Sequence, residues 1–242
     1  MPRPIFNEPG LTYTGGLSPM DGNEAPLHNR DEFQLERLIL FTDAVFAIAI
    51  TLLIIEIKVP ELHHGASESA ILAHLAALTP KFIGFFVAFF IIAIYWLAHH
   101  RVFRFVTRYN NRLIWLNILF LLSIVLMPFT AAFQGEYPLL RTPWVLYSLS
   151  VLFTGFMQLC LQAYIRNPAN GVAPAIFATH PDLDLVRPLV PMSLFVVSIL
   201  LCFISSPWVC KLFLIVMAPA MMLYGRRYRR LLHEYEHPVV VV

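Results

Sequence analysis

Few residues in this chain are of types that do chemistry, and most of them sit inside apolar runs. Thr42 and Asp43 interrupt RLILFTDAVFAIAITLLIIEIKVP, residues 37–60. His99 and His100 close PKFIGFFVAFFIIAIYWLAHHRVF, and Asn117 lies near the start of WLNILFLLSIVLMPFT. Each of these groups is costly when buried alone in hydrocarbon, but a carboxylate, a hydroxyl, an imidazole and an amide can satisfy one another. Ionisable residues at membrane depth mark ion or proton pathways. The plainer alternative is a polar lock that holds helices together. Other chemistries find no support. There is no nucleophile elbow, phosphate-binding loop or dinucleotide turn. The pairs His63-His64 and His99-His100 point about 100° apart when helical, a poor chelate without a third ligand. No catalytic residue, metal site or cofactor is therefore expected.

These groups must be positioned by membrane helices. Apolar residues make up 58% of the 242-residue chain and charged residues 13%, with a mean hydropathy of +0.69. An ordinary soluble domain is about 25% charged. The expected fold is an all-α membrane protein with six transmembrane helices. The spans are placed at about 35–58, 81–103, 112–133, 143–165, 188–205 and 207–224, within one domain over 35–226. Residues 1–34, polar and without an apolar signal-peptide core, are expected to be a flexible cytoplasmic tail, and 227–242 a second tail. The piece AILAHLAAL, ending at Thr79-Pro80, is too short to span and is expected to be interfacial or re-entrant. The net charge of +2 has no basic domain behind it, so no nucleic-acid partner is expected. Cys160, Cys202 and Cys210 read as small apolar residues and not as a disulfide framework.

Loop charge sets an expected orientation. Arg101, Arg104, Arg108 and Arg112 lie between spans two and three, and Arg226, Arg227, Arg229 and Arg230 follow span six. Positively charged loops face the cytoplasm, which puts both termini there. Membrane lipids are expected partners of these arginines.

Winding the first span at about 100° per residue gives it two faces. Phe41, Ala44, Ile48, Leu52 and Ile55 share one, with Thr51 at its edge. Asp43 points to the opposite side, as a buried acid in need of a partner. By periodicity alone the apolar stripe could be core, lipid-facing or a pore lining.

Residues 37–60 closely resemble the first helix of the transmembrane protein 175 family, lysosomal and bacterial potassium channels. The family hallmark is Arg, three residues, then Phe-Ser-Asp. This chain has Arg37, Phe41, Thr42 and Asp43, with Thr42 keeping the hydroxyl of the usual serine. Tyr95, Trp96 and the histidine pair resemble the family's second span, and Asn117 with the later Met-Pro-Phe-Thr its third. The resemblance covers about residues 33–133. It implies a homotetramer without a carbonyl filter of the TVGYG type, with first helices around the pore. It puts Ile48 at the narrowest constriction, a hydrophobic gate, with Thr51, Leu52 and Ile55 as further pore layers. Arg37, Phe41, Thr42, Asp43, His99 and Asn117 would form the polar network behind the pore. The implied function is a potassium-permeable, weakly selective cation channel of the cell (plasma) membrane, passing sodium less well and leaving proton permeation open. Two other classes stand beside it. One is a proton-coupled transporter using Asp43 and His99, although no inverted repeat is visible. The other is a membrane-embedded metalloenzyme using the histidines.

Overall fold

The computed structural model describes residues 25–61, 65 and 67–236, and among them all regular structure is helical. The helices are α1 (Ala25–Ile55), α2 (Glu68–Ala77), α3 (Thr79–Phe103), α4 (Asn111–Glu136), α5 (Arg141–Arg166), α6 (Val186–Ile204), α7 (Pro207–Phe213) and α8 (Met217–Glu236). Six helical stretches are long and apolar enough to cross a membrane. His63 and His64 lie outside the described residues.

The bounds differ from the sequence expectation at both ends. α1 begins at Ala25, so residues 25–34 are helix and not tail. The last helix runs on to Glu236, past the expected end near Tyr224. The sixth span is also composite: α7 is joined to α8 by a 3-10 turn, Leu214–Val216. Pro219 gives the reason. It has no N–H for the carbonyl of Ile215, so the α ladder cannot run unbroken through this point.

Local chemistry sets the other ends. Ser67 caps α2, its hydroxyl accepting from the Ala70 N–H. α2 buries no residue, and Leu78 is both its C-cap and the N-cap of α3. Pro80 then occupies the first turn of α3, where its missing donor costs nothing. Asn110 caps α4 through a 2.9 Å bond from the Leu113 N–H.

α4 and α5 pack on each other at the centre. α1 and α3 lean on α4, and α6 leans on α5 and carries α7 and α8. Gly155 on α5 allows a close approach: a Cβ there would lie 2.8 Å from Met192 Cγ and 3.2 Å from the Tyr95 hydroxyl. The connection from α5 to α6 folds as three short 3-10 turns. It is tied down by Asp182, whose carboxylate pairs with Arg104 after α3 and accepts from Tyr228 on α8.

Candidate functional site

α1 is divided lengthwise. Thr42, Phe46, Ala49 and Leu53 are each at most 4% exposed and form the stripe that packs on the chain's own core. Their spacing of four, three and four residues is that of one helix face. Phe46 stands 5.8 Å from the Phe120 ring of α4 and 6.2 Å from His99 of α3.

Thr42 heads a directed chain of hydrogen bonds. Its hydroxyl donates to the Leu38 carbonyl at 2.8 Å, which spends its only proton. Its oxygen can then only accept, and Asn117 Nδ2 donates to it at 2.8 Å. Asn117 Oδ1 is left to accept from His99 Nε2–H, also at 2.8 Å. The chain thereby selects the ring tautomer that carries its proton on Nε2. His99 is held flat between Phe103, with centroids 3.9 Å apart, and Phe120 at 5.3 Å. Thr42, Asn117 and His99 are all buried. The result is a buried, hydrogen-bonded lock between α1, α4 and α3.

Asp43 is placed differently from the sequence expectation. It is half-buried, and it accepts from Trp96 Nε1 at 2.8 Å instead of meeting His99 or Asn117. Trp96 in turn stacks on His100. One step along the helix turns Asp43 about 100° from Thr42, enough to bring it to the edge of the α1–α3 seam. There an exposed-edge indole can reach it and the buried amide cannot. Arg37 and Phe41 also stand apart from the lock: both are exposed, and Arg37 lies over the Phe33 ring. The partner that sequence reasoning missed is Trp96, which enters there only through the resemblance of the second span. Its spacing carried a signal, because Trp96, His99, His100 and Phe103 share one face of α3.

The opposite face of α1 carries Phe41, Ile48, Leu52 and Ile55, exposed by 55%, 59%, 40% and 67%. Thr51, on the same side, turns its hydroxyl back to the carbonyls of Ala47 and Ile48, at 3.0 and 2.9 Å. The hydroxyl proton is therefore spent, and the oxygen's remaining acceptor capacity faces outward. Among the described residues, no group of three or more His, Cys, Asp or Glu is arranged to hold a metal ion.

A family model described as "Endosomal/lysosomal potassium channel TMEM175" matches residues 37–128. A potassium channel of Chamaesiphon minutus is 37% identical over 114 residues, 47% of this chain and 54% of the relative. The endosomal/lysosomal proton channel TMEM175 of Mus musculus is 26% identical over 169 residues, 66% of this chain and 33% of the relative. The chain spans about half the length of the potassium channels it matches. Among solved structures, the crystal structure of a lysosomal potassium-selective channel TMEM175 homolog from Chamaesiphon minutus superposes with a TM-score of 0.64 at 28% identity. That superposition covers 81% of this chain and 98% of the homolog. The matched segment holds the α1 motif and every member of the Thr42–Asn117–His99 lock, and over residues 37–128 this multi-pass chain is similar to the TMEM175 family, a family of ion channels.

Proposed function

We propose that this chain is one subunit of a potassium-permeable, weakly selective cation channel of the cell membrane, a homotetramer in which four α1 helices surround the pore. The observation that carries the proposal is the division of α1. One stripe is fully used by the chain's own core, while the Ile48–Leu52–Ile55 face has no partner among the described residues of the subunit. A single helix cannot enclose a hole, and copies around a symmetry axis can. The relatives named as potassium channels supply the ion.

In this reading Ile48 is the constriction. Four sec-butyl groups around the axis exclude water, and an ion cannot cheaply shed its hydration against them. Small rotations of α1 would move Ile48 off the axis and let the neck wet. Thr51 adds a ring of acceptor oxygens next to the neck. So few fixed dipoles replace the hydration shell incompletely, so preference for potassium over sodium is modest. The Thr42–Asn117–His99 lock sets the angle at which α1 presents this face. By the positive-inside rule, the arginines after α3 and along α8 support a cytoplasmic side for both termini.

One observation favours a second permeant ion. The mouse relative is named a proton channel, and Asp43, Trp96 and His100 form a half-exposed polar edge beside the α1–α3 seam. Proton flux beside potassium flux belongs to the same proposal.

The test is Ile48→Asn against Leu53→Asn in liposome flux assays at matched protein amounts. Asparagine at Ile48 wets the neck, raising flux and weakening potassium preference. Asparagine at Leu53, which is 4% exposed in the packed stripe, damages folding without raising flux. Equal flux from Ile48→Asn and wild type removes Ile48 from the gate.

A further inference from the structure

A second feature lies away from α1. α3 and α6 each pack on α5, and a cavity of about 270 Å³ lies between α3, α5, α6 and α8. Its body is apolar, lined by Ile91, Ile94, Leu97, Phe195 and Met221. Ile94 and Leu97 are 62% and 51% exposed, so the cavity opens to the surface that faces lipid in a spanning bundle. Its far end is polar and carries Arg101, Arg187, Gln158 and Asp182.

The charges at that end do not cancel. Asp182 is the carboxylate there, and it is already engaged by Arg104 and by the Tyr228 hydroxyl at 3.0 Å. Arg101 Nε and Arg187 Nη1 stand 3.7 and 3.9 Å from it, near enough for attraction but too far for a hydrogen bond. Asp184, the next acid, is taken by Tyr224 and Arg227. His180 Nδ1 accepts from the Asp182 N–H, so that nitrogen carries no proton to offer. Three guanidinium groups thus face one carboxylate, and among the described residues two of them keep unspent donors at the cavity wall. Arg187 also lies over the Tyr224 and Tyr228 rings, which fixes its plane without using its N–H groups. A further observation points to a ligand: Gln158 is 2% exposed, and its Oε1 is buried without a hydrogen-bond partner among the described residues. A buried acceptor of this kind calls for a donor.

We propose that this cavity binds an anionic phospholipid. An acyl chain enters the apolar body along Ile94 and Leu97. The phosphate sits across Arg101 and Arg187, whose planar donor arrays suit its oxygens. A headgroup hydroxyl donates to Gln158 Oε1. Phosphatidylglycerol carries all three parts, whereas the choline headgroup has no donor and leaves the site's net positive charge uncompensated.

The full chain, purified and stripped of lipid in detergent, is titrated with dioleoyl phosphatidylglycerol and dioleoyl phosphatidylcholine and read by native mass spectrometry. Wild type should prefer phosphatidylglycerol by about tenfold, the scale of one charge-assisted contact. R101Q/R187Q should erase the preference. Ala98→Phe, which fills the cavity and leaves the arginines in place, should reduce binding of both lipids. R226Q/R229Q, on α8 but outside the cavity, should behave as wild type. Glycerol 3-phosphate should not displace the lipid, and displacement would mean that the site takes free phosphate. Equal affinity of wild type for the two lipids overturns the proposal, as does undiminished binding in Ala98→Phe. Failure of the assembled wild type to take up phosphatidylglycerol would also overturn it, and is the outcome expected if a neighbouring subunit fills the cavity. If R101Q/R187Q fails to fold, Ala98→Phe decides the question alone.

Discussion

Removing the Asn117 amide should harm the protein far more than removing the Asp43 carboxylate, although Asp43 is the charged group. Asn117→Ala strips the acceptor from His99 Nε2–H, and His99 is 3% exposed with aromatic rings on both faces, so water cannot replace it. A buried donor left unmet costs about 1–3 kcal/mol. The bond to Thr42 is lost as well, and interhelical bonds in membrane proteins average about 0.6 kcal/mol. With the small void left by the amide, the total is about 2–4 kcal/mol. Asp43→Ala breaks one bond, to Trp96, and that indole is 36% exposed and can find water or headgroup acceptors. Its cost is on the order of 0–1 kcal/mol. Thermal unfolding in detergent separates the two. Asn117→Ala should lower Tm by about 4–16 °C and Asp43→Ala by at most about 4 °C, using the soluble-protein scaling for this size. A larger drop for Asp43→Ala than for Asn117→Ala would refute the view that Thr42, Asn117 and His99 hold α1 and that Asp43 does not.

Gly155→Ala puts a methyl 2.8 Å from Met192 Cγ, so the α5–α6 seam must open or Met192 must shift; a loss of about 1–3 kcal/mol in denaturant titrations is expected. His180, in the connection before α6, is held below its ordinary pKa, first by burial and further by Arg104, with Asp182 pulling the other way. Its neutral form is therefore favoured by folding, so stability is complete above the unfolded-state pKa of about 6.5 and falls as pH drops below it. His180→Gln should flatten the Tm-versus-pH curve in that acid range, and an unchanged slope would exclude this histidine as the cause.

The bundle was largely legible because long apolar runs bounded by arginine, asparagine and proline leave little choice of span. Four middle helices fall within about three residues of their expected ends. What failed had local causes. Residues 25–34 are too polar to read as part of a span, yet they continue α1. Pro219 divides the last span in a way that hydropathy does not register. The lock was legible only in part. Thr42, His99 and Asn117 stand among the groups expected to satisfy one another, but the charge on Asp43 drew the burial to the wrong residue. A helical wheel gives relative angles and not which angle faces the neighbours. Burial of Thr42 and not Asp43 depends on where α3 and α4 contact α1, a tertiary fact. The Asp182 cluster, in the piece HPDLD, is not legible in the sequence, because its partners are 78 positions away at Arg104 and 46 away at Tyr228. Nothing local in HPDLD announces them.

In the proposed channel the exposed Ile48–Leu52–Ile55 face of α1 lines the ion pore. Planar-bilayer recording of the purified full chain under potassium/sodium bi-ionic conditions tests it most directly. Discrete single-channel steps and a reversal potential displaced modestly toward the potassium side are expected, with larger steps and a smaller displacement for Ile48→Asn. Slow, saturable, gradient-coupled uptake without unitary currents would contradict it and favour the proton-coupled transporter.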